Sequence, residues 1–196
     1  MRKLLAVSLI VFSLGFASAA DTVKVDLSKS TIDWLGKKVT GQHNGTINLK
    51  SGELTMDGSE LTGGSFEIDM GSIVVEDIKD ETYNAKLVGH LKSDDFFSAA
   101  KFPAAGFIIT EAKAVNKDGN NYHIKGDLTI KGITNKIEFP AKVENSEAGL
   151  TASAQIVVDR SKFDVRYGSG SFFENLGDKM IYDDFTLDVK LAGSLK

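Results

Sequence analysis

The chain has 196 residues, with 23 lysines and arginines against 27 aspartates and glutamates, and a net charge of −4. It contains no cysteine, so it can form neither a disulfide nor a lipid-modified cysteine. Basic residues are scattered along the chain, which argues against nucleic-acid binding and against attachment to an anionic membrane surface. The length suffices for one domain with a sizeable hydrophobic core.

Residues 1–19 have the pattern of a secretory signal peptide. Arg2 and Lys3 form a basic start, an uncharged apolar run follows at residues 4–16, and Ala-Ser-Ala at residues 17–19 supplies a cleavage site. The apolar run is too short to span a bilayer, as is every later stretch. We therefore expect a mature chain in the periplasm, or secreted beyond it, with no stable membrane anchor and a net charge of −6.

Apolar and polar residues alternate with period two through most of the mature chain. Residues 122–130 are the clearest case, with Ile124 and Leu128 on one face and Lys125 and Asp127 on the other. Such alternation predicts half-buried antiparallel strands. Similar runs cover residues 31–34, 46–49, 65–70, 105–112, 136–143, 150–158 and 185–191. About eight strands in one domain, residues 20–196, predict an antiparallel barrel or a sandwich.

Turn signals and two irregular regions separate these runs. Turns are predicted at Ser51-Gly52, Asp57-Gly58, Asp183-Asp184 and residues 117–120, 131–134 and 147–149. Helical spacing at residues 80–91 predicts a short helical segment around residues 80–99, closing one end of the barrel. Residues 159–184, rich in Gly, Asp and aromatics, predict a long loop with a helical turn near residues 172–176.

Motifs for catalysis or metal binding are weak. No cysteine nucleophile and no G-x-S-x-G elbow are present, and the Gly-Ser run at residues 168–171 is typical of a flexible loop. His43, His90 and His123 lie in separate segments without metal-ligand spacing, so we expect no metal site and no cofactor. His43 is expected at a barrel end, and His90 at a helix C-terminus, where an imidazole can cap carbonyl groups.

The acidic pair Asp94-Asp95 is the main lead for acid–base chemistry. Ser93 before it is expected to cap the N-terminus of a short turn, and adjacent acids diverge, which is poor geometry for sharing a proton. We therefore predict a protein that is not an enzyme. An envelope hydrolase using His90 with Asp94 or Asp95 is a competing hypothesis.

The inward-facing residues indicate apolar space that is either a ligand cavity or a filled core. Large residues alternate there with small ones such as Gly126, Ala141, Ala152 and Ala154. At the rim, Arg160 and Arg166 are predicted to form ion pairs or to meet a polar headgroup, together with His43. The candidate cavity residues are Trp34, Ile47, Phe66, Ile68, Met70, Leu87, Leu91, Phe96, Phe97, Phe107, Tyr122, Ile124, Leu128, Phe139, Ile156, Phe185 and Leu187.

Several separated stretches resemble the YceI-like family of exported bacterial proteins. They are residues 30–34, 38–45, 61–73, 90–97 with 101–103, 126–132, and Asp159-Arg160. The resemblance implies a lipocalin-like barrel that sequesters, stores or transports a long-chain isoprenoid, either a polyprenyl or an isoprenoid quinone, in an apolar cavity. A barrel that binds a fatty acid or fatty amide, or a ligand-free barrel with a stress or interaction role, would also fit this pattern. Any of these barrels could form a homodimer.

Overall fold

The computed structural model describes residues 20–146 and 149–194. Within them, nine strands and one α-helix follow in chain order. They are β1 (Asp21–Val25), β2 (Thr31–Lys38), β3 (Gly41–Asp57), β4 (Glu60–Val75), α1 (Glu81–Lys92), β5 (Ala104–Lys117), β6 (Asn120–Ile130), β7 (Ile133–Ser146), β8 (Gly149–Asp159) and β9 (Ile181–Ser194). Two short 3-10 helices, Arg160–Phe163 and Gly177–Lys179, lie between β8 and β9. The predicted signal peptide lies outside the described residues.

The strands form a closed antiparallel barrel. From β2 to β9 each strand pairs with the next along the chain, and β2 also pairs with β9, which closes the ring of eight. β1 is a short ninth strand outside this ring of eight, and it pairs with residues 53–56 of β3 and residues 193–194 of β9. β2 pairs with the other parts of the same two strands, so β1 and β2 lie end to end in one position of the barrel.

Helix α1 lies at the end of the barrel that we call the helical end. Asp80 caps its N-terminus, since its side chain accepts a hydrogen bond from the Tyr83 N–H. Ser93 ends the helix, because both its N–H and its hydroxyl donate to the His90 carbonyl. The following turn begins at Ser93, because its carbonyl accepts from the N–H groups of Phe96 and Ser98. The prediction that the Ser93 side chain caps this turn was wrong, since its hydroxyl donates to α1. Irregular turns connect α1 to β5 and complete the predicted segment at residues 80–99.

Three other local predictions differ from the structure. Ser51-Gly52 lies inside the long strand β3, and Asp183-Asp184 lies inside β9. The helical turn expected at residues 172–176 is displaced to Gly177–Lys179, while a second one follows β8 directly. The turn predicted at residues 147–149 falls largely on residues 147 and 148, which lie outside the described part of the chain.

The contacts of Gly52 explain why the turn predicted at Ser51-Gly52 does not form. A Cβ at this position would lie 2.9 Å from the Phe66 ring and 3.2 Å from a methyl group of Val25. Glycine therefore lets neighbouring side chains pack onto the backbone in the middle of a strand. Gly126 on β6 plays the same role for the ring of Phe107, and a Cβ there would also lie 2.5 Å from the Ile108 carbonyl oxygen.

We predict that Gly126→Ala destabilises the barrel by about 2 kcal/mol, because the methyl group overpacks against a ring and a backbone carbonyl. Gly89→Ala is the matched control, since Gly89 is an exposed position of α1 with open space around it. There the same change should stabilise by roughly 0.5–1 kcal/mol. Urea denaturation measures both, and equal effects of the two substitutions would contradict this account.

Candidate ligand-binding cavity

The barrel encloses a cavity of about 280 Å³. Side chains from β2 to β9 and from α1 line it, and the wall is almost entirely apolar. Bulky residues and small ones share this wall, so the inward faces do not close on one another. Of the two interpretations that the sequence allows, a cavity or a filled core, the structure supports a cavity within the core.

Sixteen of the seventeen candidate cavity residues lie in the wall. They are Trp34, Ile47, Phe66, Ile68, Met70, Leu87, Leu91, Phe96, Phe97, Phe107, Ile124, Leu128, Phe139, Ile156, Phe185 and Leu187. Most come from strands, where alternate side chains point inward, and Leu87 and Leu91 come from α1. The structure thus brings these residues together, while their contact with a ligand stays a prediction.

Tyr122 and Arg166 lie elsewhere. Tyr122 is buried and its hydroxyl accepts a hydrogen bond from the N–H of the wall residue Leu61 at 3.1 Å, but Tyr122 itself does not line the cavity. Arg166 is exposed on the loop after β8, where it pairs with Asp164 and lies over the Phe172 ring at 4.9 Å. The predicted place of Tyr122 in the cavity wall was wrong, since parity places a side chain on a face without revealing its depth. Arg166 does not line the cavity, and its contact with a headgroup stays a prediction.

Two aromatic clusters shape the cavity. In the barrel, the Phe107 ring packs between Phe66 and Phe139, with ring centroids 6.4 and 5.6 Å apart. At the helical end, Phe97 packs edge-on against both Phe96 and Phe185, at 5.2 and 6.2 Å. Such pairs stabilise by about 0.5–1.5 kcal/mol beyond the area that they bury. The second cluster therefore fixes the turns after α1 over the end of the barrel.

Several wall residues that the sequence did not predict lie at the mouth, while others, such as Leu49, Leu54 and Ile109, are apolar residues of the strands. Lys37, Lys38, Tyr182 and Asp184 line the cavity at the helical end although all four are exposed. The pairing of β2 with β9 is irregular between Gly36 and Lys38, where β9 has two more residues than β2, and it resumes at Lys38 with Ile181. A bulge of this kind has no signal in a single sequence, so the position of the mouth could not be predicted.

His43 contributes to the cavity wall and also joins β3 to the connection before α1. Its Nδ1 lies 2.8 Å from Asp77 Oδ2, while the N–H of Asn44 donates to Asp77 Oδ1 at 3.1 Å. Burial opposes ionisation of this carboxyl, but the hydrogen bonds from His43 and Asn44 prevail and lower the pKa of Asp77. His43 thus has the barrel-end hydrogen bond that was expected of it.

Arg160 is the buried charge of the helical end, with only 2% of its surface exposed. Its guanidinium donates to the carbonyl groups of Val165, Ile181 and Tyr182 at 2.8, 3.1 and 3.2 Å. Asp183 Oδ1 is 3.4 Å away, and this buried atom accepts no hydrogen bond. Burial lowers the pKa of the Arg160 guanidinium, although Asp183 and Asp159 oppose this effect.

Arg160 therefore ties the loop after β8 to the start of β9, and it also lines the cavity beside the Phe96 ring. The ion pair predicted for it is present, with Asp183 as partner. The carboxyl of Asp159, its neighbour in the chain, instead accepts hydrogen bonds from the N–H and hydroxyl of Ser161.

The residues of the hydrolase hypothesis do not assemble as a catalytic group. The His90 ring lies edge-on to Tyr167 and Phe96, at 4.3 and 5.6 Å, and lines the cavity. Asp94 pairs with Lys101 at 2.6 Å on the surface, which lowers the pKa of its carboxyl together with a hydrogen bond from Ser98. Across the described ranges, no cluster of three potential metal ligands occurs.

A family profile described as the YceI-like domain matches residues 23–192. The chain belongs to the YceI-like family. It is 30% identical over 166 residues to a UPF0312 protein of Enterobacter sp. strain 638, covering 79% of this chain and 83% of that relative. It is 31% identical over 140 residues to Protein YceI of Escherichia coli O17:K52:H18, covering 68% and 67%. A UPF0312 protein of Shewanella denitrificans is 31% identical over 97 residues, which span 50% of this chain and 47% of that protein.

Solved structures share the YceI-like fold at lower identity. BcnA of Burkholderia cenocepacia superposes with a TM-score of 0.66 at 24% identity, covering 86% of this chain and 98% of that one. A polyisoprenoid binding domain from Saccharophagus degradans, implicated in plant cell wall breakdown, gives 0.64 at 14% identity, covering 91% and 100%. These similarities support the fold of this YceI-like barrel. In the part of the chain that the structure covers, no helix is long and apolar enough to cross a membrane.

We predict that Asp77→Asn lowers the free energy of unfolding at neutral pH but has little effect on it at low pH. The folded-state pKa of Asp77 is lowered, so its stabilising effect is complete above the unfolded pKa of about 3.9 and disappears as pH falls through the folded value. The substitution should cost about 1 kcal/mol at pH 7 and little at the lowest pH that the fold tolerates. Urea midpoints between neutral and acidic pH measure this, and a pH-independent loss would contradict it.

We also predict that Arg160→Met destabilises the barrel by about 3–5 kcal/mol, because it leaves the buried Asp183 Oδ1 without its counter-charge and three backbone carbonyl groups without donors. The double variant Arg160→Met/Asp183→Asn should recover part of this loss. Arg166→Met is the matched control, since this exposed arginine should contribute less than about 1 kcal/mol. Equal midpoints in urea for the Arg160 and Arg166 variants would refute the structural role of Arg160.

Proposed function

We propose that this protein is an exported lipid-binding protein, not an enzyme, that sheathes the chain of a long isoprenoid inside the barrel. The observation that carries the proposal is the cavity of about 280 Å³ with its nearly continuous apolar wall. This volume is close to the lower limit of roughly 300 Å³ for small-molecule sites. A polyprenyl or the tail of an isoprenoid quinone would enter with its chain first and keep its polar end at the mouth.

The physical chemistry of the wall favours a hydrocarbon chain. Each buried methylene contributes about 0.8 kcal/mol, so several isoprene units bind tightly without a polar anchor. The likeness to a solved polyisoprenoid binding domain supports this ligand class. Export through the predicted signal peptide would place the protein in the periplasm, where a water-insoluble isoprenoid needs a carrier or store.

A fatty acid is the second candidate, on one specific observation. Lys37 and Lys38 are exposed at the mouth and line the cavity, where an ammonium group would attract a carboxylate. Mass spectrometry of the protein purified without detergent, followed by lipid extraction, separates the two candidates by the mass of the bound molecule. A protein that carries no lipid and takes up neither farnesol nor palmitate would overturn the proposal.

We predict that Ala154→Phe reduces lipid uptake at least roughly tenfold, because the ring would occupy space otherwise filled by several methylenes. Ala154 lines the cavity from β8. Val157→Phe is the matched control, since Val157 lies on the outer face of the same strand with 58% of its surface exposed. Uptake of a fluorescent apolar probe and its displacement by farnesol measure both variants. Equal loss of uptake in both would contradict the assignment of the cavity as the binding site.

A further inference from the structure

Among the exposed large apolar side chains of the helical end, five lie in the turn after β2 or in residues 167–182, and we call these five the aromatic rim. They are Val39, Tyr167, Phe172, Phe173 and Tyr182, with 40–49% of each residue exposed. Large contiguous apolar patches on a protein surface mark sites of contact with membranes or other proteins. The proposed function assigns no role to these side chains.

The contacts of the aromatic rim place it at the mouth of the cavity. Tyr182 is itself part of the cavity wall, and the Tyr167 ring lies 4.3 Å from the ring of His90, another wall residue. Val39, which follows the mouth residue Lys38, donates its N–H to the Met180 carbonyl beside the first residue of β9.

Phe172 and Phe173 belong to the same surface. Both of their N–H groups donate to the carbonyl of Ser169, which is bridged to the wall residue Ile181. The exposed side chains are therefore grouped around the place where a lipid would enter.

The charges beside the aromatic rim are balanced. The rim segments, residues 37–39 and 164–184, carry four cationic side chains and five acidic ones, of which Asp183 is paired with the buried Arg160. They are Lys37, Lys38, Arg166 and Lys179 with Asp164, Glu174, Asp178, Asp183 and Asp184. The whole chain is negatively charged, so a region with balanced charges repels an approaching phosphate less than an acidic surface would. Side chains of both signs complement a zwitterionic headgroup, which carries a phosphate and an ammonium group.

The area of the aromatic rim does not distinguish a membrane from a protein partner. Five half-exposed side chains offer on the order of 400 Å², given the 150–250 Å² of a whole aromatic residue. A stable complex needs roughly 800 Å² from each partner, of which roughly 450 Å² is apolar. What favours a membrane is the place of the rim at the mouth of a proposed lipid cavity. Aromatic side chains are also favoured at the boundary between lipid and water, where shallow insertion needs no matching protein surface.

We propose that the aromatic rim docks the mouth of the cavity onto the surface of a zwitterionic phospholipid bilayer. Phe172 and Phe173 insert below the headgroups, and a lipid passes between the bilayer and the cavity without crossing water. The docking is reversible, consistent with the absence of an anchoring cysteine. This inference rests on the proposed function, since docking at the mouth would transfer no lipid if the cavity bound none.

The test is flotation of the mature protein with phosphatidylcholine vesicles. Phe172→Ser/Phe173→Ser should weaken association at least roughly tenfold, because two rings lose their apolar insertion. Phe172→Trp/Phe173→Trp should strengthen it, since tryptophan favours the interface. The matched control is Ile108→Ser/Val157→Ser, which removes two exposed apolar residues from the outer wall of the barrel and should leave association unchanged. Circular dichroism checks that all variants are folded.

The proposal is overturned if the wild type does not float, or if the rim and control variants lose association equally. It is also overturned if phosphatidylglycerol is required for association, since charge would then carry the binding. A rim variant that changes only self-association in sedimentation velocity would make the patch an interface between copies of this chain. Binding of farnesol without vesicles is measured in parallel, so a failure of lipid binding is distinguished from a failure of docking.

Discussion

Closure of the barrel along β9 is the constraint on which the other features depend. Two separate strands, β1 and β2, pair with the same edge of β9. The turn that joins β1 to β2 must therefore hold the two strands end to end. Ser30 stabilises this turn, because its hydroxyl donates to the Asp26 carbonyl and accepts from the Ala192 N–H. Closure directs the apolar faces of eight strands towards one interior space, although β7 and β8 pair only over residues 142–146 and 149–153.

That space is left incompletely filled, which costs free energy. Protein interiors normally pack as densely as organic crystals, and unfilled volume costs about 24 cal/mol per Å³ in core mutants. A cavity of about 280 Å³ therefore represents several kcal/mol that a hydrocarbon ligand could recover. Ala152 and Ala154 on β8 maintain this volume, because a larger side chain at either position would fill it. The cavity is thus a property of particular small residues within a well-packed shell.

The alternation of residues allowed most of the barrel and its inner wall to be predicted, since the period of a strand assigns each side chain to a face. Predictions from the alternation were wrong where contacts between residues distant in the chain determine the local structure. Gly52 resembles a turn residue until the Phe66 ring and Val25 pack onto it from neighbouring strands. Asp183 also resembles one, but Arg160 and Ser171 bind its carboxyl and let β9 begin earlier. The mouth residues Lys37, Tyr182 and Asp184 flank an irregularity in the pairing of β2 with β9, which no local pattern indicates.

The polar groups of the helical end determine how a ligand could be selected. The hydrogen bonds of Arg160 go to backbone carbonyl groups, and His43 is paired with Asp77, so both are engaged in holding the fold. Few polar groups of the wall remain for a headgroup, apart from those at the mouth. Affinity would then depend on the length and shape of the hydrocarbon, whereas the mouth would discriminate among polar ends. Helix α1 contributes Leu87, His90 and Leu91 to the wall, so the helical segment takes part in setting the shape that a hydrocarbon must fit.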